Sequence, residues 1–114
     1  MSGRLTTHAL DTQQGLGAAG LKVEVRRVDA AAEEFVTTVL DGGGRATLIE
    51  AGLSEGVYEL TFMVADYHRA QDISLADPPF LDEVTIRFGV ADPQAHYHVP
   101  LVFTPWSYQT YRGG

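Results

Sequence analysis

The sequence predicts an all-β domain, a sandwich of two sheets with one short helix. Three observations carry that prediction. Apolar residues recur at every second position in several short runs, the period of a strand with one face on a core. Turn-forming residues separate the runs at close spacing, with 12 glycines and 5 prolines scattered through 114 positions, a pattern that favours a sandwich over a barrel or a parallel α/β sheet. Only Ala65-Asp66-Tyr67-His68-Arg69-Ala70-Gln71 loses the alternation while avoiding glycine and proline.

Taken in order, the first strand runs from Leu5 to Leu10, with Leu5, Thr7 and Ala9 on one face and Arg4, Thr6 and His8 on the other. Leu21 to Val25 alternates cleanly and forms the second. Ala30 to Glu34 has a helical composition but is short and flanked by strands, so it is expected to be a loop. Phe35 to Leu40 and Ala46 to Ile49 flank Asp41-Gly42-Gly43-Gly44-Arg45, whose glycines permit the positive φ angles of a tight reversal. Tyr58 to Val64 and Val84 to Val90 alternate throughout. Between them, Ala65 to Gln71 makes one or two helical turns, with Asp66 near the positive end of the helix dipole and His68 expected at the surface. Pro78-Pro79 marks an exposed connection. The last strand, Tyr97 to Phe103, turns Tyr97, Val99, Leu101 and Phe103 inward, and Pro100, lacking an N–H, suggests that it lies at a sheet edge. About seven strands result, with no histidine in the core. By position alone, Tyr108 to Gly114 would be a frayed end.

Length and composition bound the rest. At 114 residues and 12.4 kDa the chain suits a single domain, which at this size buries roughly two-thirds of its unfolded surface and needs no staple. The absence of cysteine excludes disulfides, thiol nucleophiles, iron–sulfur clusters and thiolate zinc sites. A net charge of −7, with Lys22 as the only lysine and Arg26-Arg27 the only adjacent basic pair, argues against nucleic acid as a partner. A small anion could still bind where arginines or histidines override the field locally. No apolar run reaches signal-peptide or membrane-spanning length, so no membrane partner is expected and the cytoplasm is the default compartment.

The informative feature is His96-Tyr97-His98-Val99-Pro100-Leu101. With Tyr97 and Val99 inward, His96 and His98 share the opposite face roughly 7 Å apart, a catalytic or metal-binding pair if they are not simply exposed strand histidines. His8 and Arg45, taken singly, would be an ordinary surface histidine and a solvated arginine.

Together these pieces resemble the 5-hydroxyisourate hydrolases, the transthyretin-related proteins of purine catabolism. The resemblance rests on Leu5-Thr6-Thr7-His8-Ala9-Leu10-Asp11, Arg45 after the hairpin, His96-Tyr97-His98-Val99-Pro100-Leu101 and the tail Tyr108-Gln109-Thr110-Tyr111-Arg112-Gly113, in order and essentially end to end. The family's tail usually ends Tyr-Arg-Gly-Ser. Here it ends Tyr111-Arg112-Gly113-Gly114, so no role of that serine hydroxyl carries over.

The resemblance implies a prealbumin-like sandwich and a homotetramer, a dimer of dimers with active sites in the channel between dimers. It implies catalytic roles for His8, Arg45 and His98, substrate binding by Tyr111, Arg112, Gly113 and Gly114, and no cofactor or metal. The implied reaction converts 5-hydroxyisourate, a planar urate-derived anion, to 2-oxo-4-hydroxy-4-carboxy-5-ureidoimidazoline in urate breakdown, water cleaving a cyclic amide-like C–N bond. A neutral imidazole, His98 or His8, would accept the proton of the attacking water, the other histidine orienting or donating. Arg45 would hold substrate oxygens and offset developing charge. Two other functions share parts of this sequence: a transthyretin-like carrier of a hydrophobic ligand, for which imidazoles and a guanidinium make the channel too polar, and a metal site on His96 and His98, which needs a third ligand such as His8.

Overall fold

The computed structural model describes residues 3–28 and 35–113. The expected loop over Ala30 to Glu34, and Gly114, lie outside the described residues. In chain order the elements are β1 (Arg4–Asp11), β2 (Leu16–Gly17), β3 (Lys22–Arg27), β4 (Phe35–Val39), β5 (Arg45–Ile49), β6 (Gly56–Phe62), α1 (Val64–Ala70), β7 (Val84–Val90), β8 (His96–Phe103) and β9 (Tyr108–Thr110). One sheet runs β2-β1-β8-β9 with β5 also paired to β1; the other runs β4-β3-β6-β7. All seven expected strands are present. The two that escaped the alternation are β2, only two residues long, and β9, three residues that find their partner in the preceding strand.

The sheets face each other across the alternating apolar positions. Leu5, Leu101 and Phe103 from the first meet Val23, Leu60 and Phe62 from the second, all essentially without solvent contact. Each such side chain contributes about 1.5–3 kcal/mol of burial. With the odd-numbered residues of β1 and β8 committed inward, Thr6, His8, His96 and His98 are left half-buried on the outer face.

His68 is not at the surface, and the interior is not free of histidine: His68 is 1% exposed, packed against Tyr67 and Phe103 with ring centroids 5.4 and 5.3 Å away. The helix begins at Val64, one residue earlier than the alternation suggests, so Val64, Tyr67 and His68 fall at i, i+3 and i+4 and share the buried face. Neither ring nitrogen of His68 has a hydrogen-bond partner. Burial pushes its pKa down, against the pull of the Asp11 carboxylate and the nearby Thr104 backbone. The helix ends at Ala70 and is closed by the residues after it: Asp72 N–H donates to Arg69 O, and the Asp72 φ of 61° turns the next N–H, of Ile73, onto His68 O, both at 3.0 Å.

Pro100 does not mark a sheet edge, since β8 pairs with β1 in parallel and with β9 in antiparallel register. The missing N–H instead interrupts the β9 side. Pairing stops at Leu101↔Thr110, the Thr110 hydroxyl takes the Pro100 carbonyl at 2.7 Å, and the ladder resumes in the same register where Gly113 N–H donates to His98 O at 2.8 Å. The tail is thus ordered against β8, not frayed.

One buried carboxylate ties β1 to the helix. Asp11 accepts hydrogen bonds from the N–H groups of Gln13 and Gln14, the Gln14 amide and the Tyr67 hydroxyl at 2.8–3.1 Å. Burial alone would raise its pKa; these donors outweigh it and hold the carboxyl below its usual range, while the Tyr67 phenol is pushed up by burial and by Asp11.

Candidate active site

The outer face of the β1–β8 ladder collects the polar residues. The hairpin between β4 and β5 sets one side of it. Asp41 Oδ1 accepts the N–H groups of Gly43 and Arg45, both at 2.9 Å, and Gly44 turns the chain at a φ of 79°. Any side chain at Gly44 would strike backbone atoms of Ala18 and Ala9 at 2.6 Å. Those N–H groups and the charges of Arg45 and His8 hold the exposed Asp41 carboxyl below its usual pKa. Pairing of β1 with β5 then sets His8 opposite Arg45. The His8 ring donates Nε2–H to Gly43 O at 3.1 Å; a carbonyl only accepts, so that nitrogen carries the proton.

The parallel register sets the other side. Thr6 lies opposite His98 and Arg4 opposite His96, all on the outer face. Thr6 Oγ1 is 2.7 Å from His96 Nε2 and 2.8 Å from His98 Nδ1, and the two imidazole centroids are 6.2 Å apart. With Nδ1 engaged, Nε2 is the His98 nitrogen left for a ligand. Burial pushes the His98 pKa down, and the charges of His96, His8 and Arg45 push it the same way. Gly113 presses on the same ring: a Cβ there would lie 2.6 Å from His98 Cδ2.

A cleft of about 460 Å³ opens over these groups, lined by Arg4, Thr6, Asp41, Arg45, His96 and His98 among others. Two guanidinium groups and two imidazoles outweigh the single Asp41 carboxylate there, an arrangement that can hold an anion and move a proton. His8 joins it through its pairing with Arg45 and its field at His98. Tyr111 and Arg112 do not. Both are exposed and line a separate cleft of about 270 Å³ with Tyr97 and Arg87, and the Arg112 guanidinium stacks 4.1 Å above the Tyr97 ring. Of the expected binding residues in the tail, Gly113 lies against the His98 ring and bonds to its carbonyl, Arg112 reaches only the backbone, donating Nη2–H to His96 O at 3.5 Å, and Gly114 lies outside the described residues. Among the described residues, no three His, Asp or Glu side chains converge as a metal-ligand set.

Thr6 is the member of this cluster that sequence reasoning passed over. Alternation placed it beside His8, but nothing local shows that β1 and β8 are parallel neighbours in this register.

Comparison with known proteins matches the chain to the HIUase/Transthyretin family over residues 5–113. A Deinococcus radiodurans protein named 5-hydroxyisourate hydrolase is 56% identical over 119 residues, covering 99% of both chains. Among solved structures, an (S)-allantoin synthase superposes with a TM-score of 0.90 at 35% identity; it covers 99% of this chain, which spans 44% of that longer protein. The 5-hydroxyisourate hydrolase of Klebsiella pneumoniae superposes with a TM-score of 0.83 at 29% identity over the whole of both chains. Matched from β1 to the tail and aligned end to end with such relatives, the chain belongs to the HIUase/Transthyretin family.

Proposed function

We propose that this protein is an enzyme that hydrolyses 5-hydroxyisourate to 2-oxo-4-hydroxy-4-carboxy-5-ureidoimidazoline, with His98 activating the water and Arg45 stabilising the charge that develops. The names of its end-to-end relatives support the substrate, and the cationic cleft suits a planar anion. The observation that carries the mechanism is the environment of His98. Burial and neighbouring positive charge favour its neutral form, and its Nδ1 is occupied by Thr6, leaving Nε2 to accept the water's proton. Arg45, on the strand opposite His8, presents paired N–H donors to the substrate oxygens. His8, whose Nε2–H is given to Gly43 O, is the orienting partner. The outer sheet face carrying these groups is open in one chain, and we assign it to the channel of a homotetramer built as a dimer of dimers.

The test is the decay of 5-hydroxyisourate, generated in situ by urate oxidase, with and without the protein and across pH. Activity is expected to fall as pH drops below the ordinary histidine range near 6.5, because His98 must be neutral to act as base. A profile flat from about pH 5 to 8 with unchanged substrate binding would remove the histidine base. Activity lost to a chelator and restored by zinc would favour the metal reading.

A further inference from the structure

We propose that Thr6 is a positioning residue of this site, its hydroxyl joining His96 and His98 into one proton-sharing pair and selecting which nitrogen of His98 is free to act. The inference rests on His98 as the water-activating group, although its spectroscopic test does not.

The geometry leaves few arrangements. Thr6 Oγ1 is within hydrogen-bond distance of a ring nitrogen on each imidazole, at 2.7 Å from His96 and 2.8 Å from His98. A hydroxyl carries one proton, so between two neutral imidazoles it donates to one and accepts from the other. When His98 Nδ1–H donates to Thr6 and Thr6 O–H donates to His96 Nε2, His98 keeps a lone pair on Nε2 and is a base. With both bonds reversed, His98 Nε2 carries the proton and is an acid. The backbone holds Thr6 in place for either state: it lies opposite His98 in the parallel ladder, and its neighbour Thr7 is buried with its hydroxyl bonded to Val99 O at 2.7 Å.

The same bonds give the proton a route. As His98 Nε2 takes a proton from the attacking water, the N–H bond at His98 Nδ1 breaks and an O–H bond forms on Thr6. The original Thr6 O–H breaks and an N–H bond forms at His96 Nε2. The positive charge then sits on His96, and neutral His98 holds Nε2–H ready for the departing nitrogen. When His98 gives up that proton, the one on His96 Nε2 returns through Thr6 to His98 Nδ1, and the pair is restored. His96, unused in the mechanism above, becomes the temporary proton store. The charged and titratable groups around the pair are Arg4 and His8 on β1, Asp41 and Arg45 on the hairpin and β5, and Arg112 of the tail, whose guanidinium is 3.5 Å from His96 O.

Replacing Thr6 by valine keeps the branched shape on a half-buried outer face and deletes only the hydroxyl; serine keeps the hydroxyl. Heteronuclear NMR of the imidazole nitrogens is expected to show neutral His98 protonated at Nδ1 in the native protein and to lose that preference in Thr6→Val. Turnover of 5-hydroxyisourate should fall at least tenfold in Thr6→Val, within the span of general acid–base effects. The acid limb of its pH profile should also move to lower pH, because valine cannot accept a hydrogen bond from protonated His98. Thr6→Ser should restore both. An unchanged His98 tautomer and pH limb in Thr6→Val, or a serine variant that behaves like valine, would overturn the proposal. A native protein that shows the tautomer but no hydrolysis would sink the hydrolase reading and leave the Thr6 bridge standing.

Discussion

Gly113→Ala puts the ordered tail to its sharpest test. The added Cβ would sit 2.6 Å from His98 Cδ2, 3.2 Å from Cγ and 3.3 Å from Cβ, where ordinary contact begins at 3.4 Å. The worst contact is therefore about 0.8 Å short, and the ring edge or the tail must move by that much. On the other side of the ring, Thr6 holds Nδ1 at 2.8 Å. If the ring yields, it leaves Thr6 and its Nε2 is misdirected; displacements near 1 Å in a reacting group cost up to about a hundredfold in rate. If the tail yields, the 2.8 Å bond from Gly113 N–H to His98 O is lost, worth about 1 kcal/mol, and the strand that closes this side of β8 lifts away. Either way turnover should drop at least tenfold, about 1.4 kcal/mol of transition-state stabilisation. The thermal midpoint should move by only a few degrees, since no core residue is touched. Both are measurable on one preparation, by 5-hydroxyisourate decay and by thermal unfolding. Turnover within twofold of native, with the Gly113–His98 bridge intact by amide exchange, would refute the claim that the tail holds the His98 ring.

Two further outcomes follow from other parts of the molecule. Because burial depresses the folded-state pKa of His68, the unfolded chain binds the extra proton first; stability is full above about pH 6.5 and is lost as pH falls toward the folded value. His68→Leu should remove part of that acid loss in thermal melts and leave neutral stability unchanged or up to about 1 kcal/mol higher, since it deletes two unsatisfied polar atoms; a variant with the native pH slope would refute the assignment. The proposed assembly predicts a tetramer in sedimentation experiments at micromolar concentration, and a monomer with full activity there would contradict it.

The strand alternation alone determined which side of each ribbon faces the core. Leu5, Ala9, Tyr97 and Leu101 had no other good place to go, so Thr6, His8, His96 and His98 were committed to the outer face before any packing was known. The glycine run likewise specified the hairpin that brings Arg45 to the edge of that face. Side-chain period is a local property, and a sequence states it directly.

Which residues stand beside which depends on how the strands pack. Thr6 and His98 are more than ninety positions apart in sequence, and their pairing depends on β1 and β8 being parallel neighbours in one register. No local pattern encodes that. Pro100 looked like an edge marker because its missing N–H was legible and its partners were not; the gap falls between two stretches of one ladder, with Thr110 and Gly113 closing around it. Alternation misplaces His68 for a related reason. The shift from period 2 to period 3.6 falls at Val64, which fits both patterns, and only the packing of α1 against Phe103 shows which period governs the residues that follow.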